Sequence, residues 1–459
     1  MDSIVRNRPF CRAVGGKVIG AMPNRFRRLF SMTSLAIVFA IGIPSVHAQD
    51  KSQDVLSLAA ALQLAKDHNG TVKSAYMQVK AGDTVIVQAM SAFYPTINAQ
   101  YQYNSDRQQF VTSGSNTAFL QTEGGQTTFS SSWTLLDSGE RSFALGTARK
   151  NRDARKYNAR QVLRSTLFSV VQQYYNALRA QELEKVAQTE VNRAQTILDQ
   201  TQTRIKARDA AQIEELQANA DYQNAKVTAL TARNTSTNAS ATLKATIGLN
   251  SGAPLPTLQK GETTGHPVPP ETLETLIVEG LGKRPDLIAQ RNNIQAEQFS
   301  KQLADRQAGF AMSLSANYNQ QVEPINLSNR TLTFMVSVPL FDAGSRRAQA
   351  RQIDYNIRAD EATLEQAERV VRSDIEAAYK DVLTNGERLE AAQTALEAAQ
   401  KNYSAAVDSQ KAGAYDLLQV ITAQLSLVTA ESNQIQALYD YRISEINLKL
   451  VTGRPIPGE

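Results

Sequence analysis

Between Ser345 and Ala412 an apolar or small residue returns in a four-three rhythm: Val371, Ile375, Ala378, Val382, Asn385, Leu389, Ala392, Leu396, Ala399, Tyr403 and Ala406. That 3.5-residue period is a coiled-coil seam. The stretch holds no proline and one glycine, Gly386, so it reads as a single helix about 100 Å long. One globular core needs nothing so long, and the helix is expected to bridge a distance. Leu163, Leu167, Val170 and Tyr174 keep the same rhythm in a second proline-free stretch, Arg141 to about Ala207. Each long helix ends at an irregular patch, Lys206 to Ala211 or Lys411 to Tyr415. A helix then returns, Gln212 to Ile247 and Asp416 to Thr452.

Ahead of each long helix the period drops to two. Ile97, Ala99, Tyr101 and Tyr103 alternate with Asn98, Gln100, Gln102 and Asn104; Phe129, Trp133 and Leu135 alternate with Ser130, Ser132 and Thr134. Met312, Leu314, Ala316 and Tyr318 stand against Ser313, Ser315, Asn317 and Asn319, then Leu332, Phe334, Val336 and Val338 against Thr331, Thr333 and Ser337. Four strands are expected. Two amphipathic helices precede each strand pair, Leu56 to Lys66 and on to Phe93, then Leu273 to Leu281 and on to about Ala308, where Pro285 suits a first helical turn.

The two halves are copies. A shift of 215 places Val72 on Leu287, Pro95 on Phe310 and Tyr103 on Tyr318; beyond a surface loop, Ser105 to Thr127 against Gln320 to Arg330, the shift is 205. It then places Asp137 on Asp342, Gly139 on Gly344, Tyr174 on Tyr379 and Gly248 on Gly453. The organisation expected is a first repeat 49–250, a Pro/Gly-rich connector 251–271, a second repeat 272–453 and a tail 454–459.

One strand face is apolar and aromatic, the other small and neutral-polar with hardly a charge. A soluble half-buried strand usually wears Lys or Glu on its wet side, whereas a pore wall is apolar outward and polar inward. Four strands cannot close a membrane barrel, because open edges are not tolerated in hydrocarbon. The barrel must be shared between chains. Where the strands hand over to the long helices stand Asp137 and Gly139 in copy one, and Pro339, Asp342 and Gly344 in copy two. Glycine lets the backbone turn there, and aspartate satisfies free helix N–H groups.

Arg25, Arg27 and Arg28 before the apolar run Leu35 to Ile43, then Pro44 and Val46-His47-Ala48, read as an export signal over residues 1–48, with Met22 and Met32 as alternative starts. The run is short of the roughly 20 residues of a membrane anchor. That segment holds seven of the 49 Lys+Arg and one of the 44 Asp+Glu, leaving 42 against 43 in the mature chain. The basic excess is therefore discarded with the leader, and nucleic acid is not an expected partner. Cys11, the one cysteine, goes with it and lies before the apolar run, so neither thiol chemistry nor a lipid anchor is expected. His68 and His266 are the only mature histidines, too few for a metal cluster or a Ser-His-Asp arrangement, and no phosphate-binding glycine loop occurs. No enzyme, catalytic residue, metal or cofactor is expected.

Over about 400 residues the order of Arg284-Pro285-Asp286-Leu287, Val338-Pro339-Leu340-Phe341-Asp342-Ala343-Gly344 and Lys411-Ala412-Gly413-Ala414-Tyr415-Asp416-Leu417-Leu418 resembles the TolC-like outer-membrane channel family. The resemblance implies a mainly α fold with a small β part: a homotrimeric, twelve-stranded β-barrel in the outer membrane of a Gram-negative bacterium, continued by a long α-helical barrel through the periplasm. It implies an export duct of a tripartite efflux or type I secretion system, for polypeptides or small toxic compounds. Its partners would be outer-membrane lipid, a periplasmic adaptor and an inner-membrane pump of ABC or RND type. It places the periplasmic constriction at Glu214 and Gln217 in copy one and Tyr415, Gln419 and Thr422 in copy two. Family members with aspartates at the last two positions differ from this chain, which leaves Glu214 as the source of any acidic ring. The alternatives are a periplasmic coiled-coil adaptor or rod, and an exported enzyme of unrecognised chemistry.

Overall fold

A computed structural model describes residues 55–459 except 113–115, 209, 251, 253–254, 261–270, 308, 323–325, 413 and 415, with the backbone alone at the other residues of 108–122. They belong to one of two compact units, Gln53–Glu459. The expected export signal and Cys11 lie outside the described residues, as do Gly413, Tyr415 and most prolines of the connector.

The element order is β1 (Val55–Leu56), α1 (Leu58–His68), α2 (Gly70–Ser91), β2 (Thr96–Thr112), β3 (Asn116–Leu136), α3 (Glu140–Lys206), α4 (Gln212–Thr246), β4 (Thr257–Leu258), α5 (Leu273–Lys283), α6 (Pro285–Arg306), β5 (Ala311–Gln321), β6 (Leu327–Ser337), α7 (Ser345–Lys411) and α8 (Leu417–Val451). The helices duplicate in length: 11 residues in α1 and α5, 22 in α2 and α6, 67 in α3 and α7, 35 in α4 and α8. Each long helix thus spans about 100 Å. Sequence-local devices start them. Ser57 and Asn69 cap α1 and α2, Pro285 opens α6, and Asp416 exchanges two hydrogen bonds with Gln419 at the start of α8.

The strands form one antiparallel sheet in the order β2-β3-β5-β6. Two expectations are corrected. The polar stretch Ser105 to Thr127 is not a loop, because β2 and β3 pair through it down to Thr112 opposite Asn116; a ladder needs only backbone N–H and C=O groups, which no polar side chain denies it. Leu135 does not continue the alternation, because a bulge between Thr134 and Leu136 places Leu136 opposite Met312. Leu136, half exposed at 52%, therefore joins the apolar face in its place. In the second copy Pro339, at the position equivalent to Thr134, follows the end of β6, where its missing N–H cannot extend a ladder.

The seams fill as their period requires. Leu163, Leu167, Val170, Tyr174, Leu62, Leu243 and Ile247 form one core, and Val371, Ile375, Ala378, Val382, Leu389, Leu276 and Leu287 another. Tyr174 shares its one hydroxyl hydrogen between the carbonyls of Leu56 and Gln259, which ties the short parallel β1–β4 pair and the connector to the middle of α3. Side by side the elements make a wall: α2, α3, α6 and α7 in the half next to the sheet, then α4, α3, α8 and α7 in the other half. Alpha-3 is interior throughout, whereas α2, α4 and α7 are edges. No helix among the described residues is long and apolar enough to cross a membrane.

Candidate functional site

The sheet sorts its side chains by face. Ile97, Tyr101, Leu332 and Phe334 lie on one face, 79%, 67%, 73% and 56% exposed, with no protein over them among the described residues. The ladder sets Phe129 opposite Tyr318 and Trp133 opposite Leu314 on this same face. Toward the hairpin ends the apolar band closes with a stack of Phe129 on Tyr318 (6.4 Å) and Arg330 over the Tyr318 ring (5.6 Å). At the helix end Trp133 donates to the Phe93 carbonyl (3.1 Å). The opposite face presents Asn98, Gln100, Ser130, Ser132, Ser315, Asn317 and Thr333.

The junction between sheet and helices is built twice by the same means. Asp137 accepts from the N–H groups of Gly139 (3.2 Å) and Arg141 (3.0 Å), and Asp342 from those of Gly344 (3.0 Å) and Arg346 (3.1 Å). These two N–H groups, Arg346 first, hold the Asp342 carboxyl below the usual aspartate range. Two successive residues turn left-handed at each junction, Ser138 (φ 54°) with Gly139 (92°) and Ala343 (51°) with Gly344 (85°). Arg141 was not legible as a junction residue. Its guanidinium bonds Asp137 (2.6 Å) and gathers the carbonyls of Ala92, Thr134 and Leu135.

At the far end the two helix turns pack together: Leu417 and Ile421 of α8 against Ala218 of α4, with Ile197 and Leu198 of α3 alongside. The constriction candidates of both copies therefore share one tip. Gln217 is exposed and bonds Asp221, Thr422 donates to the Leu418 carbonyl, and Gln419 is spent on its capping box. Glu214 is engaged twice, accepting from the Ala211 N–H (3.3 Å) and pairing with Arg204 (3.2 Å). Within one chain the Glu214 carboxylate thus has a cation beside it. Arg204 also lines a polar cleft with Asp199, Gln200, Gln410 and Lys411 between the ends of α3 and α7. Its sequence signal was the basic last turn of a helix, which reads as ordinary macrodipole compensation. Tyr415 lies outside the described residues. No group of three or more potential metal ligands occurs among the described residues.

The sequence profile of the outer membrane efflux protein family matches residues 61–249 and 276–454, one stretch in each copy. The outer membrane protein TolC of Vibrio cholerae is 24% identical over 412 residues, covering 86% of this chain and 90% of that one. Protein CyaE of Bordetella pertussis is 23% identical over 351 residues, 75% of this chain and 72% of that one. The Campylobacter jejuni CmeC outer membrane channel superposes at a TM-score of 0.75 with 15% identity, covering 86% of this chain and 85% of that one. With the profile met in both copies and the duplicated strand and helix plan seen in full, the chain belongs to the outer membrane efflux protein family.

Proposed function

We propose that three copies of this chain close one passive export duct, with twelve strands in the outer membrane of a Gram-negative bacterium and the helices forming a tunnel in the periplasm. An inner-membrane pump of ABC or RND type, joined through a periplasmic adaptor, supplies the driving force. Polypeptides or small toxic compounds are the cargo class.

One observation supports the closure: the free edges of each chain are copies of the junction already made inside it. Within the chain, β3 pairs with β5 so that Phe129 opposes Tyr318. Adding 205 to the first and subtracting 215 from the second gives Phe334 on the free edge of β6 and Tyr103 on the free edge of β2. The hairpins obey the same shifts, Tyr103 opposite Gly125 and Tyr318 opposite Arg330. The helical edges match as well. Exposed Ile213, Leu216, Val227 and Leu230 form a seam along α4. Exposed Ala391, Ala395, Ala398, Asn402 and Ala405 form one of small residues along α7. Large apolar knobs on one edge meet small holes on the other. A free-standing rod would leave the apolar sheet face in water.

The mature sequence lacks cysteine, which makes the test clean. In a chain bearing Tyr103→Cys and Phe334→Cys, the copied register brings the two Cα atoms of neighbouring chains within the roughly 4.4–6.8 Å that a disulfide spans. Oxidation of outer-membrane fractions should yield a covalent ladder ending at three chains. A ladder ending at two, or cross-linking only within one chain, would refute the closure.

A further inference from the structure

Inside the helical wall, two buried oxygens without a hydrogen-bond partner belong to one pair of side chains, Glu190 Oε2 on α3 and Gln424 Oε1 on α8. The pair is already joined once, Gln424 Nε2 donating to Glu190 Oε1 at 2.5 Å. Gln424 is 4% exposed. A carboxylate and a carboxamide share one such bond; a carboxylic acid and a carboxamide share two, because the acid O–H donates to the amide oxygen. The two leftover oxygens are the two atoms that such a second bond would join. We infer that Glu190 and Gln424 form a proton-dependent latch between α3 and α8, half made when Glu190 is ionised and completed by a proton on Oε2.

The surroundings favour this state. Arg193 of α3, the nearby cation, is committed to Glu431 of α8 (3.0 and 3.3 Å) and lies over the Tyr403 ring of α7 (5.9 Å). Burial is the largest influence on Glu190 and raises its pKa; Gln424 and Arg193 oppose it, while Glu431 and Asp221 of α4 reinforce it. With the folded value raised, the closed latch is fully present below the ordinary glutamate value and is lost as pH rises through the folded one. Glu190, Gln424 and Asp221 line a groove of about 480 Å³ between α4 and α8, floored by α3. Neither leftover oxygen is open to solvent, so the proton is the smallest species that can supply the missing donor.

The latch is particular to one kind of junction. A shift of 205 converts Glu190 to Ala395 and Gln424 to Asn219, so the copied junction between chains has no titratable pair. A proton therefore tightens the second repeat onto the first within each chain. That this opposes widening of the tip rests on the duct reading; the pairing itself does not.

The test is hydrogen exchange of α8 amides around Gln424 in the detergent-solubilised full chain between about pH 4 and 8, with the intrinsic pH dependence of exchange divided out. In the wild type, protection rises on acidification, by up to roughly tenfold for each unit by which folding raises the Glu190 pKa. Glu190→Gln is protected at every pH, because two amides make the same pair of bonds without titrating. Gln424→Met is weakly protected at every pH. A Glu190→Gln chain that keeps the wild-type pH dependence, or infrared spectra showing Glu190 ionised throughout, would overturn the latch. Planar-bilayer conductance of the same proteins reads the duct separately, and its absence from all of them would strike the duct reading alone.

Discussion

Single residues in this chain do two kinds of work, and only one is local. Gly344 sits at φ 85° with open space where a Cβ would go, so Gly344→Ala isolates the backbone cost of a left-handed turn. It should destabilise the chain by about 1–2 kcal/mol in chemical unfolding, with no change in packing. Arg164 acts over distance. Its side chain is 1% exposed and donates to Glu459 and to the carbonyls of Lys449, Leu450, Gly453 and Arg454, closing the end of α8 onto α3. Arg164→Met takes the side-chain donor from the carbonyls of Gly453 and Arg454 and one of two arginine partners from Glu459, which keeps Arg160. A loss of about 1–3 kcal/mol is expected, measured as a fall in the unfolding midpoint. An unchanged midpoint would mean that water replaces the guanidinium. Gly344 could be picked out from its neighbours Asp342 and Ser345, whereas Arg164 looks like any exposed helix arginine until the tail is seen beside it.

Elements were legible where periodicity is strong. The seams of α3 and α7, their proline-free length and the return helices follow from a four-three spacing that only a helix turns into a stripe. The strands were legible as alternation, yet their extent and the bulge at Leu135 were not, because ladder pairing is a backbone property. The second seam on α7 shows what a single pattern hides. Ala391, Ala395, Ala398 and Ala405 are as regular as the buried seam beside them but face outward, and which of two stripes is covered depends on the neighbours present. If the outward stripe receives α4 of the next chain, Ala395→Leu should leave the fold of one chain intact and overpack the contact. A clear fall in the trimer fraction by native mass in mild detergent is the expected result. An undiminished trimer would place the contact elsewhere.

At the scale of the molecule, duplication does most of the organising. Two copies with equal helix lengths and equal hairpin registers make every internal junction a template for an external one, and the proposed closure at three chains would use each template alternately. The departures from that symmetry are the informative sites. Glu190 and Gln424 exist at the internal junction and not at its copy, and Arg164 pairs with Glu459 of the tail whereas its copy, Arg369, pairs with Glu365 of its own helix.

The amino-acid order alone settled the repeat, the helix and strand types, the neutral face of the sheet and the poverty in catalytic groups, because each is written in spacing or composition along the chain. It could not say that α3 lies between both hairpins, that the sheet runs β2-β3-β5-β6, that Arg204 pairs with Glu214 or that Glu190 meets Gln424. Those partners stand 10 to 234 positions apart. Burial, the charge next door and the donor that is missing are properties of proximity, and proximity between distant residues exists only once the chain has packed.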